Sequence, residues 1–309
     1  MKKEQKGMLY CLLSGAAWGL AGCCGQLLFT RYGWDVDFLI PVRIFSAGIL
    51  TLIVASVLEG RKGLLRVFSS RQNVIDLLIF GILGIGLCQY SYYTTISEAN
   101  ATTATVLCYL GPVLIIVWVS LRSRRLPRAN EACAVALAVL GTFFLATHGD
   151  PSSLALSKQA LFWGILSAFA TALYSVQPKR LTAACGTLTS TGWGMILAGV
   201  FLSLLRRPWS HAQGDFSPPA LLAFAVVVLV GTVLCCSLYF SGLGLIGPTR
   251  ASILGATEPL VSAILSVVWL RVAFMPMDYV GFALIVSTIF ILALPGKKQE
   301  KLASGSASA

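Results

Sequence analysis

Charge is what this sequence has least of. Asp, Glu, Lys and Arg make up 11% of its 309 residues, against about 25% in a soluble globular chain. A water-facing surface needs roughly 25–35% of such residues. A soluble enzyme, a nucleic-acid-binding domain and a disordered chain are therefore poor readings. Histidine is nearly missing. His148 and His211 are the only two, and both fall between apolar runs, which speaks against a His-based metal or catalytic centre. None of the nine cysteines forms a Cys-x-x-Cys pair, and nearly all lie inside apolar runs. They read as small buried hydrophobes rather than disulfides or metal ligands. No Gly-x-x-x-x-Gly-Lys-Ser/Thr loop is present, so the chain does not bind ATP in that way. No cofactor and no metal are expected.

What is present is apolar length. Hydrophobic residues are 57% of the chain, and mean hydropathy is +0.82. A membrane-crossing helix needs about 20 mainly apolar residues. Ten candidate spans run near 8–29, 38–58, 74–95, 100–121, 131–147, 158–179, 187–205, 220–242, 250–271 and 277–294. The fold class is all-α integral membrane, with short linkers and no room for a soluble domain. The first stretch is too long for a cleavable signal peptide, contains Trp18 and is followed by further spans. The polar, small-residue tail 295–309 cannot bury enough apolar surface to order itself.

Basic residues orient the chain. With the N-terminus inside, seventeen Lys and Arg fall in inside segments. Six fall outside: Arg31, Arg43, Lys158, Arg206, Arg207 and Arg271. That split places both termini in the cytoplasm and accounts for the net charge of +11 without nucleic acid.

The chain also repeats itself. At an offset of 147, Gly84 matches Gly231, Cys88 matches Cys235 and Tyr92 matches Tyr239. Thr102 matches Thr249, Pro112 matches Pro259 and Arg124 matches Arg271, while Glu131 has Asp278 as its counterpart. The first helices match more weakly at 153, Leu13–Ala17 against Leu166–Ala170. The repeats are 8–147 and 158–294. Each holds five spans, and an odd number inserts the second copy upside down. Two inverted five-helix halves are a recurring construction in secondary transporters, with the substrate site near the midplane.

The residues that carry a family resemblance are these. Trp18-Gly19 follows a small-residue run in helix 1, and Arg43 lies near the start of helix 2. Tyr92 is followed by Asn100-Ala101-Thr102-Thr103-Ala104, and Pro112 sits in mid-helix 4. The second half has Gly247-Pro248-Thr249-Arg250-Ala251-Ser252 and then Glu258-Pro259. Over residues 8–294 the chain resembles the ten-helix drug/metabolite transporter superfamily, EamA-domain type. The resemblance implies a bacterial inner-membrane transporter. Family members often carry a short Gly-Glu segment after helices 4 and 9. Here those places read Arg124-Arg125-Leu126-Pro127 and Arg271-Val272-Ala273-Phe274.

Glu258 is the one carboxylate clearly inside a span. A buried carboxylate must protonate, pair or face water. It reads either as a proton- or amine-binding group in a central cavity or as a structural acid bonded to Thr257 or a tyrosine. Pro112 and Pro259 each free a carbonyl one turn earlier, at Cys108 and Gly255, as hinges or as static kinks. Trp18, Gln89, Tyr92, Tyr109, Tyr174 and Gln177 are aromatic or polar-tipped and inside helices. They line a substrate pocket or simply pack. Arg43 snorkels to the outer interface, with a gating or anion-binding role as the alternative. Glu98 reads as a solvated loop charge. Gly15-x-x-x-Gly19, Gly81, Gly84 and Gly86 permit close helix approach.

The function that follows is secondary active transport of a small metabolite, of amino-acid, amine or nucleobase type. It proceeds by alternating access, coupled to protons or to exchange. The partners are that small molecule, protons and the lipid bilayer, with no nucleic acid; nothing sets an oligomeric state. A non-transporting scaffold would need an exposed partner surface that the short loops do not supply. An intramembrane enzyme would need a catalytic cluster, and no Gly-x-Ser-x-Gly elbow or intramembrane His is present.

Overall fold

The structure is a computed structural model describing residues 3–122, 124, 126, 128–150, 155–246 and 248–293. The tail 295–309, Gly247, Arg125 and Pro127 lie outside the described residues. Among the described residues the chain is helical, with no strand. Eight helices are long and apolar enough to cross a membrane: α1 Lys3–Thr30, α2 Val36–Gly60, α3 Arg71–Glu98, α4 Ala101–Arg122, α5 Ala129–Thr147, α6 Lys158–Val176, α7 Thr187–Arg206 and α8 Pro218–Ile246. Two short helices follow, α9a Pro248–Gly255 and α9b Thr257–Val268, and then α10 Pro276–Ala293. The chain is an all-α membrane protein. Helices are what lipid demands, because every backbone N–H and C=O must be bonded within its own segment.

Polar residues mark where helices begin. Asp35, Ser70, Asn100 and Ser157 each cap a helix start, with their side-chain oxygens accepting from Asp37 N, Asn73 N, Thr103 N and Ala160 N. α7 is capped from outside itself. Both Glu59 carboxylate oxygens accept backbone bonds, from Leu188 N and Thr189 N, each at 2.9 Å. Gly186 precedes them at φ 92°, with the Glu59 carboxylate against its Cα. A side chain there would be strained and would displace the cap.

The expected continuous span over 250–271 is not continuous. It breaks at Ala256, one turn before Pro259, and α9b ends at Val268. α4 breaks likewise at Tyr109 and Leu110, just before Pro112. The cause is the same in both places: proline donates no N–H to the preceding turn, and its ring crowds that turn's carbonyl. Other irregularities also recur 147 residues apart. α3 contains a π-helical segment at Ile79–Gly86, and α8 contains one at Val226–Leu234. Arg124 and Arg271 both adopt positive φ, 48° and 54°. The N–H of Arg128 donates to Glu131 Oε2 and that of Met275 to Asp278 Oδ2, each at 2.8 Å. The paired acids at 131 and 278 are thus helix caps. Replacing either by Ala is expected to cost about 1 kcal/mol. The loss should be larger at Asp278, which also bonds His148 Nε2 at 2.9 Å. Thermal unfolding in detergent measures it.

Extensive packing joins α2 with α7, α5 with α10, α1 with α8, α3 with α6, α1 with α9, α3 with α7 and α4 with α6. Exchanging each helix for its counterpart five places along maps these pairs onto one another, except that α3–α7 has a weaker counterpart in α2–α8. α5 and α10 cross at Gly141 and Gly281, where a Cβ on either would lie 2.9 Å from the other's carbonyl. The larger core, with Leu28, Leu39, Ile40, Phe80 and Tyr93, joins α1, α2, α3, α7 and α8. A smaller one, with Leu107, Leu145 and Ile285, joins α4, α5, α6 and α10.

Candidate functional site

The broken helix presents Glu258 on the first turn of α9b, against α1 and α4. Tyr109 occupies the break in α4. Its hydroxyl lies 3.1 Å from the Gly255 carbonyl and 3.2 Å from Glu258 Oε2. The Gly255 carbonyl is the one that Pro259 leaves without an intrahelical donor. The phenol thus stands between the freed carbonyl and the acid, with one proton for the two acceptors. Gly15 and Gly19 let α1 lie directly on this segment. A Cβ at Gly15 would meet Gly255 O at 2.8 Å, and one at Gly19 would meet Glu258 O at 2.8 Å.

The pair is not sealed. Glu258, Tyr109 and Cys108 keep partial exposure, and Tyr174 on α6 is 38% exposed. Cys88 and Cys108 both reach the hydroxyl of Thr171, at 3.2 and 3.0 Å. These thiols therefore do more than fill space, whereas Cys133 is exposed. The nearby seam between α1, α4 and α9b is made of hydroxyls. Thr102 Oγ1 donates to Ser266 Oγ at 3.0 Å and lies 3.5 Å from Ser262 Oγ, with all three residues buried. Ser262 and Ser266, one helical turn apart, were the signal available for that seam.

The other expected site residues divide. Trp18 meets Tyr239, with ring centroids 5.5 Å apart. Tyr92 turns its hydroxyl to Thr105 Oγ1 at 2.7 Å and lies over Gly22 of α1. Tyr174 packs over Gly84 of α3. Gln177 is not beside Glu258. It caps the far end of α6, where its Nε2 donates to Asp76 O at 3.2 Å beside the Arg180–Asp76 pair. Glu98 is exposed at the end of α3.

Arg43 does not snorkel. It stands two turns inside α2 and is only 4% exposed. Nη1 donates to Gln89 Oε1 at 2.9 Å and Nη2 to Thr232 Oγ1 at 3.2 Å. The guanidinium lies 4.7 Å from the centre of the Tyr93 ring. Its reach inward follows from side-chain direction along α2, which apolar composition on every face of that helix conceals.

Both histidines pair with aspartates far away in sequence. His148 lies 2.9 Å from Asp278 and His211 lies 3.7 Å from Asp35. Asp35, Asp37 and His211 bring three metal-capable atoms within 4.8 Å of one another. Arg206 Nε stands 3.6 Å from Asp37 Oδ1, a cation already beside the acid a metal would use.

Comparison with known proteins agrees with this architecture. The model of the EamA-like transporter family matches residues 5–147 and 158–294. The uncharacterized inner membrane transporter YicL of Salmonella typhimurium is 38% identical over 306 residues, covering 98% of this chain and 100% of that protein. The threonine/homoserine exporter RhtA of Escherichia coli is 27% identical over 235 residues, 75% of this chain and 76% of its own. A solved crystal structure at 18% identity superposes with a TM-score of 0.61 over 96% of this chain and 98% of its own, a likeness of fold alone.

Proposed function

The chain belongs to the EamA-like transporter family, a transporter rather than an enzyme, and on that footing we propose that it carries a small polar metabolite of amino-acid type across the inner membrane by alternating access. Ten crossings, both termini in the cytoplasm and two inverted halves are parts of this reading. The recurrence of helix breaks, π segments and caps 147 residues apart supports the two halves, as does packing that their exchange preserves for every large pair but α3–α7. Inverted repeats of this kind carry their site at the midplane on discontinuous helices. α4 and α9 are such helices, and they meet at Tyr109 and Glu258.

The observation that carries the substrate reading is Glu258 with Tyr109, partly exposed at the break between α9a and α9b. An acid there either attracts an ammonium or carries a proton. The name of the Escherichia coli relative, a threonine/homoserine exporter, points to the same chemistry. Pro112 and Pro259 allow the inner and outer parts of α4 and α9 to tilt separately. The driving force is a proton gradient or substrate exchange.

Proteoliposomes loaded with labelled threonine or homoserine test this. The expected result is saturable flux above empty vesicles that responds to an imposed pH gradient or to unlabelled substrate outside. Background flux for these two and for a wider set of amino acids, amines and nucleobases would overturn the proposal.

A further inference from the structure

Arg43 is a buried cation without a counter-charge. Among the described residues, no ion pair includes it. A guanidinium has five N–H donors. Two are taken by Gln89 and Thr232, and buried Nε has no partner. Gln89, Thr232 and the Tyr93 ring hold the group from three sides, and all are neutral. Charged side chains inside a membrane protein are costly, mark substrate paths and are normally paired. The arginine fork in particular matches a carboxylate.

The surroundings suit a ligand. A gap beside the guanidinium is bounded by Ala47, Ile85, Gln89, Met195 and Thr232. It holds no water-sized space in this conformation, so entry requires the helices around it, α2, α3, α7 and α8, to move apart. Gln89 lies three residues after the π segment of α3, and Thr232 lies within that of α8. Such segments are frequent at functional sites.

We infer that Arg43 is a carboxylate-binding arm of the substrate site, its missing counter-charge being the carboxylate of the transported molecule. The inference rests on the transport reading above and narrows it to substrates bearing a carboxylate. Gln89 and Thr232 then orient the fork, and its unfilled donors face the ligand.

The test is binding to the purified full chain in detergent, read as the concentration dependence of thermal unfolding. The probes are small carboxylates, each beside a neutral counterpart: threonine with threoninol, phenylalanine with phenylalaninol, and acetate with acetamide. At least one carboxylate is expected to bind the wild-type chain about tenfold or more tightly than its counterpart, the worth of a charge-assisted hydrogen bond. Arg43→Gln should abolish that preference and Arg43→Lys should keep part of it. Equal binding of both members of every pair, no binding of any carboxylate, or a preference that survives in Arg43→Gln would each overturn the inference. The wild-type comparison needs no variant to fold. Carboxylate-selective binding with no flux in proteoliposomes would instead sink the transport reading and leave the Arg43 assignment standing.

Discussion

Glu258→Gln should lower substrate flux at least tenfold while leaving the protein folded. Glutamine has nearly the shape of glutamate, and its amide oxygen can still accept from the Tyr109 hydroxyl that now lies 3.2 Å from Oε2. The contacts to α1 across Gly15 and Gly19 involve the backbone of this segment and are untouched. What disappears is the ability to take up a proton or to face an ammonium as an anion. A hydrogen bond to a charged group is worth about 1.5–3 kcal/mol, roughly ten- to a hundredfold in affinity. Flux in proteoliposomes and thermal unfolding in detergent should be measured on the same preparation. Wild-type flux from a less stable variant would make Glu258 a structural acid. Any response to a pH gradient should vanish with the carboxylate if it is the coupling group.

The second large effect is steric. Gly15→Leu and Gly19→Leu are each expected to destabilise the chain by about 3 kcal/mol, the upper end of the usual cost of overpacking. At Gly15 the first added carbon already meets Gly255 O at 2.8 Å. At Gly19 it meets Glu258 O at 2.8 Å and Ser262 N at 3.0 Å. These are backbone atoms, so no rotamer change relieves the clash, and α1 must move off α9. Gly244, with nothing within 4 Å of its added carbon, is the control. Gly244→Leu should unfold at nearly the wild-type temperature. Equal losses at all three positions would mean that close approach of α1 and α9 contributes nothing.

Much of this was legible before any coordinates. The apolar runs marked the helices, because lipid permits few alternatives to them. Pro259 predicted the freed carbonyl at Gly255, and the structure has the helix breaking there. The partner of that carbonyl was not legible. Tyr109 comes from a helix about 150 residues away in sequence, and no local pattern couples the two. Arg43 was misread because α2 is apolar on the side facing lipid and on the side facing protein. Periodicity then cannot tell which way a residue points, and nearness to the span's start suggested the interface. Gln177 was misplaced by depth rather than by direction. It shares a face with Tyr174 but sits at the helix end, where Asp76 claims it.

The π segments of α3 and α8 act as rotation devices. Each α-helical residue turns the chain by about 100°, so widening a turn by one residue swings everything beyond it by that angle. The Thr232 hydroxyl inside the second segment and the Cys235 thiol just past its end each reach a carbonyl five residues back, Val227 and Val230. Gln89 follows the first segment by three residues. In a straight α-helix of the same sequence, Gln89 would point about a quarter-turn or more away from Arg43, and the arginine would lose its bond to α3. The two widened turns are thus aimed: one on each side, they bring an amide and a hydroxyl to bear on a single guanidinium.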